Sequence, residues 1–575
     1  MDGMISTIDT LWVLLGATLI FFMQAGFAML ETGFTRAKNA GNIVMKNFMD
    51  FAMGSFAFFM IGFGLMHGSG NGFIGNLDFF IRDAGIYDTN VPGWANVVFQ
   101  TMFCATSATI VSGAMAGRTK FSAYLIYSFV ISAFIYPVSG HWVWGGGWLS
   151  TLEVAGYTGF TDFAGSAVVH MTGGIAAFVG AKMLGARIGK YDKNGHSRAI
   201  PGHNIALGAL GIFILWFGWF GFNGTSTLGL ENMEAKVAEI FMTTNISAAC
   251  AAISTMFVTW IKYKKPDISM TLNGGLAGLV AITAGCAAVE PWAAAIIGSC
   301  AGIIVVFAIE FIDKVLKVDD PVGAISVHGV CGTFGALSVG LFATEGGLFT
   351  TGHAGRFLVQ LTGVLAIAGW IFVTMTIVFK LIDLTVGLRV SKKGELVGLD
   401  VSEHGMVNTT YADAFSSTFD SESSLGGAFD EESKKVSVDE AIPVQLVSTG
   451  HSLASDVNIT KVEILIRQEQ FEKLKNAMNE IGVTGMTVSQ VLGCGMQKGA
   501  MEYYRGISMD MHLLPKVKVE MVIAKVPVEL VVNTAKNVLY TGHIGDGKIF
   551  IYHVENVVKI RTSEVGYDAL QGIED

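Results

Sequence analysis

Two nine-residue stretches of this 575-residue chain share one pattern: residues 162–170 read DFAGSAVVH, and residues 320–328 read DPVGAISVH. Each has a glycine three residues after an aspartate and a histidine eight residues after it. Both histidines lie in apolar runs, where an ionisable side chain is costly and therefore indicates a functional site. The repetition predicts an inverted internal repeat with a polar site between its halves. The alternative is that His170 and His328 are structural histidines bonded to backbone carbonyls.

The composition predicts a membrane protein over most of the length. Hydrophobic residues make up 51% of the chain and charged residues 15%, whereas about a quarter of the residues of a soluble protein are charged. Before residue 390 many apolar runs reach about 20 residues, which is enough to cross a bilayer as a helix. Eleven spans are predicted, at residues 9–31, 40–67, 92–116, 121–140, 164–185, 203–222, 238–261, 271–290, 293–312, 325–343 and 357–383.

Basic residues in the loops predict the orientation, because cytoplasmic loops carry an excess of Lys and Arg. The loops on one side hold Arg36, Lys38, Lys46, Arg118, Lys120, Lys182, Arg187, Lys190, Lys193, Arg198, Lys262, Lys264, Lys265, Lys314 and Lys317. The loops on the other side hold only Arg82, Lys236 and Arg356. We therefore expect the N-terminus outside and everything after Arg389 in the cytoplasm.

The chain changes character after the membrane domain, which we assign to residues 1–390. Residues 391–455 are polar, with a Ser/Asp/Glu-rich stretch at 416–424, and such composition is typical of a linker. Residues 456–575 alternate between strand-like and helix-like patterns in the order β-α-β-β-α-β. This order predicts an α+β ferredoxin-like domain of about 110 residues.

Aromatic side chains near the ends of predicted spans are candidates for binding a small cation. Phe103 lies one helical turn after Phe99, Trp144 precedes three glycines, and Phe222 lies four residues before Ser226. Aromatic rings attract cations through their faces, and a hydroxyl adds a hydrogen-bond acceptor. For the tryptophans, an aromatic belt at the membrane interface is the alternative.

Six segments together resemble the ammonium transporter (Amt/Rh) family, and the resemblance covers about residues 5–410. They are residues 162–187, 144–147 (WGGG), 218–223 (GWFGFN), 319–321 (DDP), 328–332 (HGVCG) and 383–389 (DLTVGLR). The resemblance implies a homotrimer with one ammonium pore per subunit. We expect it in the inner (plasma) membrane of a prokaryote, and because no catalytic constellation is visible in the sequence we expect no enzymatic activity.

The same resemblance implies roles for single residues. Phe103, Trp144 and Ser226 would bind ammonium at the outer surface, and Phe103 and Phe222 would stack as a gate beneath it. His170 and His328 would line the pore. Asp162 would shape the site from within the fold; since Asp320 occupies the same place in the second motif, we expect both aspartates to cap helices.

Residues about 459–575 resemble the PII signal protein family. The resemblance rests on residues 482–488, 495–499, 514–518, 540–550 and 559–562. It implies a trimer that binds ATP or ADP in the clefts between subunits, through Thr487, Gln497, Gly545, Lys548, Lys559 and Arg561. Gln497 and Lys516 match positions that hold Mg-ATP together with 2-oxoglutarate. For the turn at 545–548, a plain hairpin is the alternative.

Departures from the PII pattern limit these expectations. His543 stands where a Lys or Arg is usual and Lys559 where Arg is usual, which predicts weaker triphosphate binding because lysine lacks the planar fork of arginine. Met509 replaces the tyrosine that the family modifies, and residues 465–470 lack the Lys-Pro-Phe that accompanies 2-oxoglutarate binding.

Residues 495–512 match the long loop with which PII proteins contact partners, and Arg505 lies at its tip. Our hypothesis is that Arg505 plugs the cytoplasmic mouth of the pore in one nucleotide state. The alternative is a solvated arginine, or one that contacts a soluble partner.

Three functions compete at this point. The first is an ammonium channel or transporter regulated by its own PII domain. The second is an ammonium sensor that signals through that domain with little net transport. The third is a transporter of another small solute, such as methylammonium or carbon dioxide.

Overall fold

The computed structural model describes residues 5–406, 459–467, 470–483, 485–493, 502–504, 507–509, 514–542 and 546–570. The chain divides into two compact units, one built from membrane-type helices and one built around a β-sheet. Each unit is described by itself. The predicted plug residue Arg505 and the predicted nucleotide contacts Gln497 and Gly545 lie outside the described residues.

In the described residues, ten helices are long and apolar enough to cross a membrane. They are α1 (Thr7–Phe34), α2 (Ala37–His67), α3 (Gly93–Met115), α4 (Phe121–Val143), α5 (Ser166–Leu184), α6 (Ile205–Thr227), α7 (Glu234–Tyr263), α9 (Pro291–Val315), α10 (Ile325–Phe342) and α11 (Gly355–Thr385), with the shorter apolar helix α8 (Ile268–Ile282) between α7 and α9. A membrane-type helical unit is thus confirmed, whereas the count of eleven spans stays a prediction.

Helix α8 is shorter than the predicted span 271–290, and its end has a physical cause. The backbone carbonyls of Thr283 and Ala284 accept the N–H groups of Ala164 and Phe163 at 3.2 and 3.1 Å. The hydroxyl of Ser166 accepts the Ala284 N–H at 2.7 Å and donates to the Val280 carbonyl. The first repeated motif therefore takes up the backbone groups that would have continued α8.

Close approach of α5 and α10 holds the centre of this unit together. A Cβ atom placed on Gly174 of α5 would lie 2.1 Å from the backbone nitrogen of Gly329 in α10. Small residues at membrane helix crossings allow such contact between backbones. Helix α1 packs along α6, with glycines such as Gly26 and Gly211 at their contact. The inverted relation between the halves stays a prediction.

The first residues after the membrane helices form two short helices, α12 (Lys392–Val397) and α13 (Leu399–His404). The carboxylate of Asp400 accepts the N–H groups of Gly41 and Asn42 at 3.0 and 2.7 Å. These bonds satisfy donors in the first α-helical turn of α2, which begins at Ala40 after one 3₁₀ turn and has no side-chain cap from Asn39. Part of the segment predicted as linker is therefore built into the helical unit.

The second unit contains a four-stranded antiparallel sheet and two helices. Its strands are β3 (Thr460–Arg467), β4 (Thr487–Gly493), β7 (Leu514–Ile523) and β8 (Lys548–His553), in the spatial order β4-β7-β3-β8. Helix α14 (Phe471–Glu480) follows β3, and α15 (Val528–Leu539) follows β7. Two short pairs complete the strands: β1 (Glu153–Val154) with β2 (Tyr157–Thr158) in the helical unit, and β5 (Glu502–Tyr504) with β6 (Ile507–Met509) before β7.

The core of this second unit follows from period-two patterning. In β3 the side chains of Val462, Ile464 and Ile466 are buried, and residues between them are partly exposed. They pack with Leu474 of α14 and Val531 of α15 in one hydrophobic cluster. The order of the four main strands and two helices agrees with the predicted β-α-β-β-α-β arrangement.

The helix crossing at Gly174 generates a stability prediction. Gly174→Ala should destabilise the helical unit by about 1–3 kcal/mol, because the added methyl group meets backbone that cannot turn away. Thermal unfolding of the purified chain in detergent measures this change.

Gly369→Ala in α11 is the matched control, because a Cβ atom there meets nothing within 4 Å. Alanine also favours a helix over glycine by about 1 kcal/mol. We therefore expect a melting temperature at or above that of the unmodified chain. Equal effects of the two substitutions would show that the close crossing does not limit stability.

Candidate functional site

The two aspartates of the repeated motif cap the starts of their helices, as predicted. Asp162 accepts the N–H groups of Gly165, Ala167 and Val168 at 3.1, 2.9 and 2.8 Å. These bonds satisfy donors that a helix N-terminus would otherwise leave unpaired within the apolar interior. The three-residue spacing from aspartate to glycine serves this geometry, since Gly165 has a φ of 108°, a left-handed value that favours glycine.

The second motif repeats the arrangement. Asp320 accepts the N–H groups of Gly323, Ala324 and Ile325 at 2.9, 3.1 and 2.8 Å, and Gly323 has a φ of 86°. Both motifs then enter a π-helical turn, Ser166–Met171 in the first and Ile325–Val330 in the second. Single π-helical turns within α-helices often occur at functional sites.

These turns bring the two histidines together. The Nδ1 atoms of His170 and His328 lie 3.2 Å apart, and the ring centroids are 5.2 Å apart with planes 23° from parallel. Both rings are buried. One neutral imidazole can donate and the other accept, with the direction set by the tautomers. Sequence predicted a polar site between the repeats, and the structure places both imidazoles in one contact.

A continuous file of aromatic rings leads to this pair. Phe103 of α3 lies against Phe222 of α6, with ring centroids 4.3 Å apart. Phe222 stacks on His170 at 5.4 Å, and His170 contacts His328. Phe103 and Phe222 are both buried, so the two rings close the file above the histidines. Their contact agrees with the expected stack, and their role as a gate stays a prediction.

Trp144 and Ser226 are half-buried, and each contacts one member of the file. The ring of Trp144 meets Phe103 edge-on at 5.9 Å, and its Nε1 donates to the Asp162 carbonyl at 2.8 Å. The hydroxyl of Ser226 donates to the Phe222 carbonyl at 2.8 Å, which leaves its oxygen able to accept a hydrogen bond. Trp144, Phe103, Phe222 and Ser226 are thus joined by contacts, as a binding rim above the stacked rings requires.

Two further aromatic residues belong to the file, although no separate role was predicted for either of them. Trp219 stacks on His170 at 5.0 Å, and its Nε1 donates to the Thr283 hydroxyl at 2.9 Å. The ring centroid of Phe27, in α1, lies 6.2 Å from the ring centroid of His328. Trp219 could be noticed from its place in the GWFGFN segment, whereas no local signal marks Phe27.

An ionic clamp fixes the end of α5 beside the start of α10. Arg187 donates two hydrogen bonds of 2.8 Å to the carboxylate of Asp319, and Arg118 donates to the Asp319 carbonyl at 2.8 Å. Burial by itself would raise the pKa of Asp319, but the positive charges of Arg187 and Arg118 hold it well below its usual range. The carboxylate therefore stays charged, and this clamp joins the two segments that carry the histidines.

In the sheet unit, one chain does not bring the predicted nucleotide contacts together. Thr487 begins β4 and Lys548 begins β8, which are the two edge strands of the sheet. Three strand spacings separate these edges, or about 14 Å. Lys516 lies in β7, opposite Arg467 of β3.

The remaining predicted contacts follow β8. Lys559 forms an ion pair of 3.1 Å with Glu564, and Arg561 is exposed. Before β8, the Asp546 carboxylate accepts the N–H groups of Thr541 and Gly542 at 2.8 and 3.1 Å. Hydrogen bonds from the Thr541 side chain and backbone lower the pKa of Asp546.

Comparisons with known proteins identify both parts of the chain. Residues 11–409 match the model of the Ammonium Transporter Family, and residues 459–564 match Nitrogen regulatory protein P-II. The chain therefore belongs to the ammonium transporter family and carries a PII domain, as the motifs predicted.

Individual relatives agree with this assignment. Ammonium transporter Amt2 of Archaeoglobus fulgidus is 48% identical over 416 residues, covering 70% of this chain and 88% of that protein. Ammonium transporter 1 member 1 of Arabidopsis thaliana is 38% identical over 414 residues, covering 67% and 82%. Among solved structures, one named Sensor Amt Protein has a TM-score of 0.65 at 40% identity, covering 69% of this chain and 98% of its own, and Candida albicans Mep2 has a TM-score of 0.62 at 28%, covering 68% and 87%.

The capping bonds of Asp162 generate the second prediction. Asp162→Ala should destabilise the helical unit by about 0.5–2 kcal/mol, because the N–H groups of Ala167 and Val168 lose their acceptor. Hydrogen exchange of those two amides should become faster, which mass spectrometry of the intact chain can measure. Asp162→Asn keeps a carbonyl oxygen and should have the smaller effect. Unchanged exchange in Asp162→Ala would contradict the capping role.

Proposed function

We propose that this member of the ammonium transporter family carries ammonium through the file of rings and histidines described above, under the control of its own PII domain. The observation that carries the proposal is the Nδ1–Nδ1 contact of His170 and His328 beneath the ring of Phe222. Such a narrow polar pair in an apolar path suits a small molecule that can donate and accept hydrogen bonds.

Binding begins at the rim in this proposal. The ring faces of Phe103 and Trp144 attract a cation by about 0.5–2 kcal/mol, and the Ser226 oxygen accepts one of its hydrogen bonds. Asp162 contributes by holding the Trp144 indole through its backbone carbonyl. Its carboxylate is already engaged by backbone N–H groups and serves the fold.

Selectivity then follows from charge. The buried rings of Phe103 and Phe222 offer no polar group to an ion, and an unsolvated charge in an apolar medium costs several kcal/mol or more. Ammonium can release a proton near the gate and continue as neutral ammonia. Potassium has a similar size but cannot release its charge, so it is excluded. In our proposal the proton follows through the imidazoles of His170 and His328, so that ammonia and a proton both cross.

Regulation is proposed to come from the PII domain of a homotrimer. Thr487 and Lys548 lie on opposite edges of one sheet, and we propose that a nucleotide contacts one of these positions in each of two neighbouring subunits. Lys548, Lys559 and Arg561 supply positive charge for the phosphates of ATP or ADP. We keep Gln497 and Gly545 as further nucleotide contacts. Gln497 and Lys516 are proposed for Mg and 2-oxoglutarate.

Placement in the membrane follows the loop charges. Many candidate spans make this a multi-pass membrane protein. We propose that the rim formed by Trp144 and Ser226 faces outward, and that the PII domain is cytoplasmic. The plasma membrane of a prokaryote is the proposed location.

A sensor is the second candidate function. The observation that favours it is the 40% identity to a protein named Sensor Amt Protein, together with the presence of a PII domain. In a sensor, occupancy of the rim would change the PII domain, and flux through the histidines would be minor.

Ammonium-driven current in proteoliposomes tests transport. His170→Leu and His328→Leu should each lower the current at least tenfold, since a leucine can neither donate nor accept a proton. His353→Leu, at an exposed histidine in the loop before α11, is the control and should conduct normally. Absence of current from a nucleotide-free chain lacking residues 407–575 would instead favour the sensor.

Arg505→Ala tests the proposed plug. We expect current through the unmodified chain to depend on which of ATP, ADP and 2-oxoglutarate is present, and current through Arg505→Ala to be high under every condition. Lys525→Ala, in the same domain but outside the matched loop, should keep the dependence. If Arg505→Ala matches the unmodified chain under all these conditions, Arg505 is not a plug.

A further inference from the structure

A small cavity lies beyond the histidine pair, on the side away from Phe222. Its lining includes Phe27 and Glu31 of α1, Val322 and Gly323 before α10, and His328. About 20 Å³ of it is open to the centre of a water-sized sphere. Since one water needs about 10–15 Å³ by this measure, the cavity has room for a single water or ammonia molecule.

Glu31 supplies the acidic group of this cavity. Its side chain is buried, and its Oε2 accepts hydrogen bonds from Ser112 at 2.9 Å and Asn47 at 3.2 Å. Within the described part of the chain, its Oε1 accepts no hydrogen bond, and the carboxyl group forms no ion pair shorter than 4 Å. The Glu31 carboxyl group can therefore accept further hydrogen bonds and carry a negative charge. The contacts within the fold do not require either.

Titratable groups on three elements face Glu31. They are Lys46 and Asp50 of α2, Tyr127 of α4, and Asp320 and His328 in and just before α10. From α3 it receives only the uncharged Ser112.

Lys46 is close enough to interact electrostatically with Glu31, but its own contacts lie elsewhere. Its Nζ donates to the Thr119 carbonyl at 3.4 Å and lies 5.1 Å from the centroid of the Tyr124 ring. The positive charge can therefore support a carboxylate at Glu31 without blocking it.

We propose that Glu31 is a second ammonium site, at which ammonia leaving the histidine pair regains a proton. The inference rests on the proposed transport function. His328 in its protonated form loses a proton to the Glu31 carboxylate through one water in the cavity. The carboxylic acid then gives that proton to ammonia: one O–H bond breaks, one N–H bond forms, and the carboxylate holds the new ammonium ion.

A second cavity offers the way out. It shares Gly323 with the first and is lined by Asp313, Asp320 and Ser326, together with Arg187 and Lys190. Its lining carries polar and charged side chains, whereas the Phe27 side of the first cavity is apolar. Glu31 thus lies between the apolar file of rings and a cavity with a polar lining.

Current measurements on the full chain in proteoliposomes test this site. Glu31→Gln keeps an oxygen for Ser112 and Asn47 but cannot exchange a proton, so the ammonium current should fall at least tenfold. The current that remains should no longer change when the pH is varied in the solution on the side of the membrane nearer Glu31. Glu31→Asp keeps the carboxyl group and should retain at least a third of the current. Glu290→Gln, at an exposed position before α9, is the matched control.

The possible results separate the two proposals. If the unmodified chain carries no ammonium current, the transport function and the Glu31 site are both wrong. If it conducts, and Glu31→Gln gives the same current with the same pH dependence, only the Glu31 site is wrong. Equal loss in Glu31→Gln and Glu31→Asp, with a lower melting temperature in both, would assign Glu31 a structural role and overturn the site.

Discussion

The close crossing of α5 and α10 is the constraint on which the membrane unit depends. Gly174 and Gly329 allow the backbones to touch, and a side chain at Gly174 would force the helices apart, because its Cβ atom would lie 2.1 Å from the Gly329 nitrogen. Because His170 precedes Gly174 by about one turn and His328 directly precedes Gly329, this contact sets the distance between the imidazoles. The apolar file, the histidine pair and the cavity beyond it all take their positions from that crossing.

The role of each polar group in this apolar interior follows from its hydrogen-bond partners. The carboxylates of Asp162 and Asp320 are engaged by backbone N–H groups, so they stabilise helix starts and are not open to a ligand. The imidazoles bond each other. Glu31 differs from these groups because part of its carboxyl group remains available beside a cavity. A count of acidic residues within the spans would not separate these roles, whereas their hydrogen bonds do.

In the sheet unit, a single chain completes the hydrophobic core but does not bring Thr487 and Lys548 together. Its hydrophobic core is closed within a single chain, since β3 packs beneath α14 and α15. Of the predicted nucleotide contacts, Thr487 lies in β4 and Lys548 in β8, which are the two edge strands. The fold of one chain therefore completes the hydrophobic core but leaves these two residues apart.

The membrane class, most of the helices, the repeated capped motif and the resemblance to two families could all be predicted from the amino-acid sequence. These are local properties, set by the length of apolar runs, by side chains that bond their own helix start, and by short sequence motifs. The end of α8 at Ile282, the contacts of Trp219 and Phe27 with the histidines, and the cavity that Glu31 shares with His328 could be seen only in the folded chain. Those facts depend on which faces of distant helices pack together, and apolar helices of similar composition could pack in many other ways.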